Sequence, residues 1–139
     1  MSKTISQISD FIHQAFPEAN LEIKSIADTA TVVHFPIEQK HLRPGGSVSG
    51  PTVFAAADAS LYIAILGHLG PVIGAVTSGL SINFLNKAMG QTVIVATCQL
   101  LKVGKRQVVG EVKLVDERSQ LLIAQATGTY SIPPGEGSG

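Results

Sequence analysis

The chain has 139 residues, 45% of them apolar and only 14% charged, with ten acidic side chains against ten basic ones. A chain of this length can bury a core of its own, and the even charge balance excludes the broad basic face of a nucleic-acid binder. So apolar a composition in a small domain points to surface that a second copy of the chain covers.

Cys98 is the single cysteine, so it has no internal disulfide partner, which suits a reduced, cytoplasmic setting. Met1 to Asp10 contains no secretory hydrophobic region. The longest apolar stretch, Thr52 to Leu66, is interrupted by Asp58 and falls short of a membrane span. No membrane partner is expected.

Ile5, Ile8, Phe11, Ile12, Ala15 and Phe16 recur at helical spacing and Pro17 closes the run, which predicts an amphipathic first helix. Leu21 to Ile26 and Thr29 to Phe35 read as two strands of a hairpin turning at Ala27-Asp28. His41 to Gly50 is rich in Gly, Ser and Pro and reads as a loop. Gly50-Pro51 then opens an uninterrupted run to Gly67. Proline suits the first helical position because its fixed φ fits the helix and its missing N–H is no loss there, and Gly67 reads as the C-cap. Four β-rich runs follow, Gly74 to Leu85, Thr92 to Leu101, Gln107 to Val115 and Leu121 to Ile132, and their short polar connections predict a four-stranded antiparallel meander. Residues 1–133 read as one α+β domain. A helix apolar on nearly every face must be covered all round, and a curved antiparallel sheet can wrap one side of it. Pro133 to Gly139 is rich in Pro, Gly and Ser, and residues 134–139 read as a flexible tail.

Asp58 stands out in the central helix, flanked by Ala55, Ala56, Ala57 and Ala59. A carboxylate in such surroundings costs several kcal/mol, on the order of a lost ion pair, unless it is paired or reaches water. Aspartate is also a poor helix-interior residue. A function is one reason to keep it, and a solvent-facing position on a half-exposed helix is the other. The helix N-terminus offers unpaired N–H groups at the positive end of the dipole, which can stabilise an oxyanion. Pro51 has no N–H, so Gly50 is the obvious donor, although capping alone would also explain Gly50-Pro51. Eight residues of helix span ~12 Å. Asp58 and the Gly50 N–H of one chain therefore cannot meet at one carbonyl, and a two-fold dimer would have to supply the pair from different chains.

Gly50, Ala57-Asp58-Ala59, the run from Thr77 through Leu80, Ile82, Phe84 and Leu85, Val103-Gly104-Lys105-Arg106, and the spaced Ala124, Ala126, Gly128 and Tyr130 form an ordered set over nearly the whole chain. That set resembles the phenylacetate-pathway (PaaI-like) type of hotdog acyl-CoA thioesterase. The resemblance implies a hotdog fold, a homodimer or homotetramer, and hydrolysis of acyl-CoA with no cofactor beyond the CoA of the substrate. It implies Asp58 as general base or nucleophile, the Gly50 N–H as oxyanion donor, and Thr77 as a hydroxyl that positions water. Ser49-Gly50-Pro51 stands where the family carries His-Gly-Gly, and Arg43 where many relatives have asparagine. Arg43, Ser49 and Pro51 are thereby expected to contact substrate and bear on its identity.

His13, His34, His41 and His68 show no metal-ligand spacing, so no metal is expected. Cys98 has no neighbour in sequence to lower its pKa. Lys102, Lys105 and Arg106 surround a turn that is either a solvated hairpin tip or a clamp for the CoA phosphates. Two other functions remain open: a non-catalytic acyl-CoA-binding or regulatory domain, and a hydratase or dehydratase. The latter usually needs a histidine beside the acid, and none lies between His41 and His68.

Overall fold

A computed structural model describes residues 4–15, 20–72 and 74–135. The first helix, α1 (Ile5–Ala15), buries Ile8 and Ile12. Thr4 and Gln7 cap it reciprocally, each side chain accepting from the other's backbone N–H at 3.0 and 3.2 Å. The expected stop at Phe16-Pro17 and most of the tail, residues 136–139, lie outside the described residues. Strands β1 (Glu22–Ile26) and β2 (Thr31–Pro36) form the anticipated hairpin, closed by Ala27 N–H donating to Ala30 O. A single 3-10 turn, Gln39–His41, leads to the central helix α2 (Gly50–Leu69), followed by β3 (Val76–Phe84), β4 (Val93–Val103), β5 (Gln107–Asp116) and β6 (Leu122–Ser131).

All six strands join one antiparallel sheet in the order β1-β2-β4-β5-β6-β3. The four-stranded meander is therefore wrong in one place. Strands β4, β5 and β6 follow one another, but β3 crosses to the far edge and pairs with β6. Alternating hydrophobicity identifies strands, while the choice of neighbour depends on the face that α2 must cover.

Helix α2 packs against the inner face of this sheet, the arrangement of a hotdog fold. Ser49 is its N-cap, accepting from Thr52 N at 3.2 Å, and Pro51 lies in the first turn as anticipated. The C-cap is Gly70, at φ 89°, and not Gly67. Gly67 is helical and small for a packing reason, since a Cβ there would lie 2.7 Å from Ile26 Cγ2. By length and hydropathy α2 could cross a membrane, yet 56% of its most apolar window is buried inside the fold. Its all-round cover is incomplete, because Pro51, Phe54 and Ala55 stay exposed in the single chain.

Leu61 is completely buried where α2 packs tightly on the sheet. It sits over Gly110 and Gly128, which face each other across β5 and β6. A Cβ on Gly110 would fall 2.5 Å from Leu61 Cδ1, and one on Gly128 would fall 2.8 Å from Leu61 Cδ2 and 2.5 Å from Leu80 Cδ1. These two glycines set how deeply the helix sits. Gly128→Ala is expected to cost about 1–3 kcal/mol through overpacking, read as a lower urea midpoint at unchanged m-value. An unchanged midpoint would show that the helix has slack over the sheet.

Candidate active site

Asp58 lies in the third turn of α2, half-buried, on the side of the helix that faces the β3–β6 edge of the sheet. Thr77 on β3 and Tyr130 on β6 are direct cross-strand partners. Both hydroxyls reach the same carboxylate oxygen: Thr77 Oγ1 donates to Asp58 Oδ1 at 2.7 Å and the Tyr130 phenol donates to it at 2.9 Å. The Tyr130 ring stacks on Tyr62, one helical turn beyond Asp58, with centroids 5.8 Å apart. The helix is thus fastened to the strand pair through its only carboxylate. Oδ1 carries both donors, and neither is spent on Oδ2.

Burial pushes the Tyr130 phenol above the usual tyrosine range; the Asp58 charge beside it adds to the effect, against an opposing contribution from the Thr77 hydroxyl. Tyr130 therefore remains a hydrogen-bond donor at any working pH and cannot serve as a base. Among the expected site residues Tyr130 had no assigned role. The clue was a lone tyrosine ending the inward run Ala124, Ala126, Gly128, where a phenol needs a polar partner.

Asp116 makes a useful contrast. Burial alone would raise its carboxyl, but hydrogen bonds from Thr92, Ser119 and the Arg118 N–H, with the Arg118 charge, hold it below the ordinary value. Both of its oxygens are taken, Oδ1 by Thr92 and Arg118 N and Oδ2 by Ser119. It pins the β5–β6 turn and has no oxygen left for chemistry. Cys98 is buried, which pushes its thiol up to about 12, so it is inert as a nucleophile. Among the described residues no three of His, Cys, Asp and Glu gather as metal ligands.

The other expected residues fall into separate places. Gly50 opens α2, and a Cβ built on it would lie 3.7 Å from the Phe84 ring at the far end of β3. Among the described residues its N–H meets no acceptor. Ser49 Oγ is engaged with Thr52, through both its N–H and its hydroxyl, so its recorded contacts are those of a cap. Arg43 is exposed in a tight loop, Arg43-Pro44-Gly45-Gly46, whose backbone is closed by Gly46 N–H to Arg43 O. Lys102, Lys105 and Arg106 line an open cleft at the β4–β5 turn together with Ser131 and Ile132. Because Ser131 pairs with Val76, this basic cleft lies at the Thr77 end of β3. One chain therefore brings together Asp58, Thr77, Tyr130 and the basic turn, and keeps Gly50 at the opposite end of the same edge strand.

The model of the Thioesterase superfamily matches residues 45–123. A candidate thioesterase from a Silicibacter species is 34% identical, with a TM-score of 0.83 over 94% of this chain and 92% of that one. The PaaI protein of the Escherichia coli phenylacetic acid degradation operon superposes with a TM-score of 0.76 at 23% identity, covering 96% and 99% of the two chains. A hypothetical thioesterase protein from Streptococcus pneumoniae, solved with coenzyme A, gives 0.78 at 21% identity over 97% and 100%. No protein of curated function matches the chain.

Tyr62 and Tyr130 are the only tyrosines, so Tyr62→Phe isolates the Tyr130 phenol for spectrophotometric titration. Its midpoint is expected well above the ordinary value of about 10. Adding Asp58→Asn should lower it only in part, because burial is the larger cause. A midpoint near the ordinary value in protein that is still folded by circular dichroism would contradict the described site.

Proposed function

This chain belongs to the thioesterase superfamily, a PaaI-like hotdog enzyme of thioester hydrolysis, and we propose that its substrates are acyl-CoA thioesters cleaved at sites shared by two copies of the chain. The observation that carries this reading is the Asp58 carboxylate, held at one oxygen by Thr77 and Tyr130 beside an unpaired sheet edge.

The two edges of the sheet differ. Strand β1 is five residues long and bears the Glu22–Lys24 ion pair at 3.1 Å. Those are the features of an edge protected against pairing. Strand β3 is nine residues long, has no charged residue, and exposes Val76 at 59% and Phe84 at 55%, with Leu85 just beyond. A second copy meeting this edge about a two-fold axis must pair antiparallel. The Thr77 end of one β3 then lies against the Phe84 end of the other. Gly50 stands beside Phe84 and Asp58 beside Thr77, so the pairing brings the Gly50 N–H of one chain toward the Asp58 of its partner. The same contact would cover Phe54, which is 40% exposed. A pair of such dimers would make the tetramer.

In this arrangement the thioester carbonyl accepts from the Gly50 N–H at the positive end of α2. Asp58, through Oδ2, acts as general base: it takes a proton from water, whose oxygen bonds to the carbonyl carbon. The tetrahedral intermediate collapses with cleavage of the C–S bond, and the proton returns to the departing CoA sulfur. Thr77 donates to Oδ1 and keeps lone pairs with which to accept from that water. Tyr130, fixed as a donor, holds the carboxylate in place. Lys105 and Arg106 of the chain that supplies Asp58 meet the CoA phosphates. Arg43 stands in the loop ahead of α2, and Ser49 and Pro51 shape the entrance on the Gly50 side.

Free-thiol release from a panel of acyl-CoAs tests this directly. Wild-type protein should liberate CoA. Asp58→Asn should lose roughly 100-fold or more in kcat, the usual cost of removing a general base, while Tyr130→Phe loses about tenfold with KM little changed. A wild-type protein that binds but cleaves none of the panel would be an acyl-CoA-binding module, and retention of most activity in Asp58→Asn would remove Asp58 from the chemistry.

A further inference from the structure

Alongside the first three turns of α2 runs a groove of about 360 Å³. Leu21, Phe35 and Ile37 form one wall, and Pro51, Ala55 and Ala59 the other. Pro51 and Thr52, the two residues after Gly50, line it, so the groove begins beside the Gly50 N–H and a carbonyl held there has the groove within reach of its substituent. The volume equals about a dozen water-sized units at ~30 Å³ each, room for an organic group of about ten heavy atoms.

The polar groups around it are nearly all engaged within the protein. Thr52 Oγ1 pairs with Ser49 Oγ at 2.7 Å. Asn20 Nδ2 donates to Glu38 Oε2 at 2.7 Å and to Pro36 O at 3.2 Å. The amide-rich pantetheine arm would find few partners here, whereas an acyl chain needs none. Among the described residues two polar atoms of the lining have no partner, the Asn20 Oδ1 acceptor and a donor on His41, which also lines the groove. Its Nδ1 accepts the Glu38 N–H at 2.9 Å, so the neutral ring carries its proton on Nε2. Among the described residues Nε2–H has no partner, and a purely hydrocarbon chain that covered it would leave a donor unsatisfied.

Resting on the thioesterase reading above, we propose that this groove is the acyl-group site, that it takes an apolar chain of about ten heavy atoms, and that His41 Nε2–H selects a chain bearing an oxygen acceptor. His41 is then a specificity residue. It sits eight residues before Ser49 in sequence but is folded back beside it by Ser49 N–H donating to His41 O at 2.9 Å.

Calorimetry on Asp58→Asn protein, where the thioester survives, tests the groove independently of catalysis. Across straight-chain acyl-CoAs from acetyl to dodecanoyl, affinity should rise by up to about fourfold per methylene and level off once the groove is full. Adding Ala59→Leu should weaken octanoyl-CoA about tenfold or more and leave acetyl-CoA nearly unchanged. Ala55→Leu, at an exposed position, serves as a second obstruction if the first disturbs the fold. Chain-length-independent binding, or an equal effect of both substitutions at every length, overturns the assignment. For His41, at least one positional isomer of hydroxyoctanoyl-CoA should bind up to about tenfold tighter than octanoyl-CoA. His41→Phe should erase that preference and His41→Gln, which keeps a donor, should retain part of it. No preferred isomer, or a preference that survives His41→Phe, removes His41 from the selection. A wild-type enzyme inactive on every acyl-CoA would sink the proposed reaction, while the binding series would still decide the groove.

Discussion

Eight residues of helix separate a carboxylate from the backbone N–H that would have to face the same carbonyl, and the rest of the account depends on that spacing. One α2 cannot place both groups at a single reacting carbon, because ~12 Å of helix lies between them. The sheet turns this obstacle into a design. Phe84 marks the Gly50 end of β3 and Thr77 marks the Asp58 end, so one edge strand carries both halves of the proposed site at its two extremities. Antiparallel pairing of that strand with its own copy reverses one set against the other. In the proposed dimer the uncharged, exposed edge and the exposed Phe54 of α2 then have one common explanation.

Within each chain the helix is held at a defined depth and rotation. Gly110 and Gly128 let Leu61 drop onto β5 and β6, and the Asp58 contacts with Thr77 and Tyr130 fasten one side of α2 to the strand pair. In the proposed mechanism the carboxylate serves both packing and chemistry, which its geometry allows because its two donors share one oxygen. Asp116 shows the alternative, a carboxylate whose two oxygens are both committed to a turn. The comparison explains why a buried acid can be structural while a half-buried one is the reactive candidate.

Much of this was legible in the residues. Gly50-Pro51 signals the start of α2 because proline fits only the first turn, and Asp58 is conspicuous among alanines. The β-rich runs locate all six strands to within a few residues. Gly67 looks like a cap in the sequence, whereas its missing Cβ makes room for Ile26, and it is Gly70 that takes the positive φ of the helix end. The position of β3 was misread because its outward residues serve an edge and not a buried face, and the alternation of a strand does not name its neighbour. Tyr130 was passed over because its role arises only when β6 is set in register against Thr77. Ser49 drew attention as a replacement for the family's histidine, yet its recorded bonds are those of an N-cap. His41, which falls at the start of the Gly/Ser/Pro-rich loop, lines the groove beside Gly50, a placement its position in the sequence does not show.

The claim that each site draws on two chains is tested most directly by complementation. Asp58→Asn removes the acid, and Gly50→Val obstructs approach to the N–H while leaving it in place; the added Cβ would meet the Phe84 ring only at ordinary contact distance. Each variant should be inactive alone. Refolded together in equal amounts, roughly half of the dimers are mixed, and each mixed dimer carries one site with both defects and one with neither. Activity should return to about a quarter of the wild-type value. Chain exchange confirmed by native mass spectrometry, with no activity recovered, would contradict the shared site and the geometry from which it was drawn.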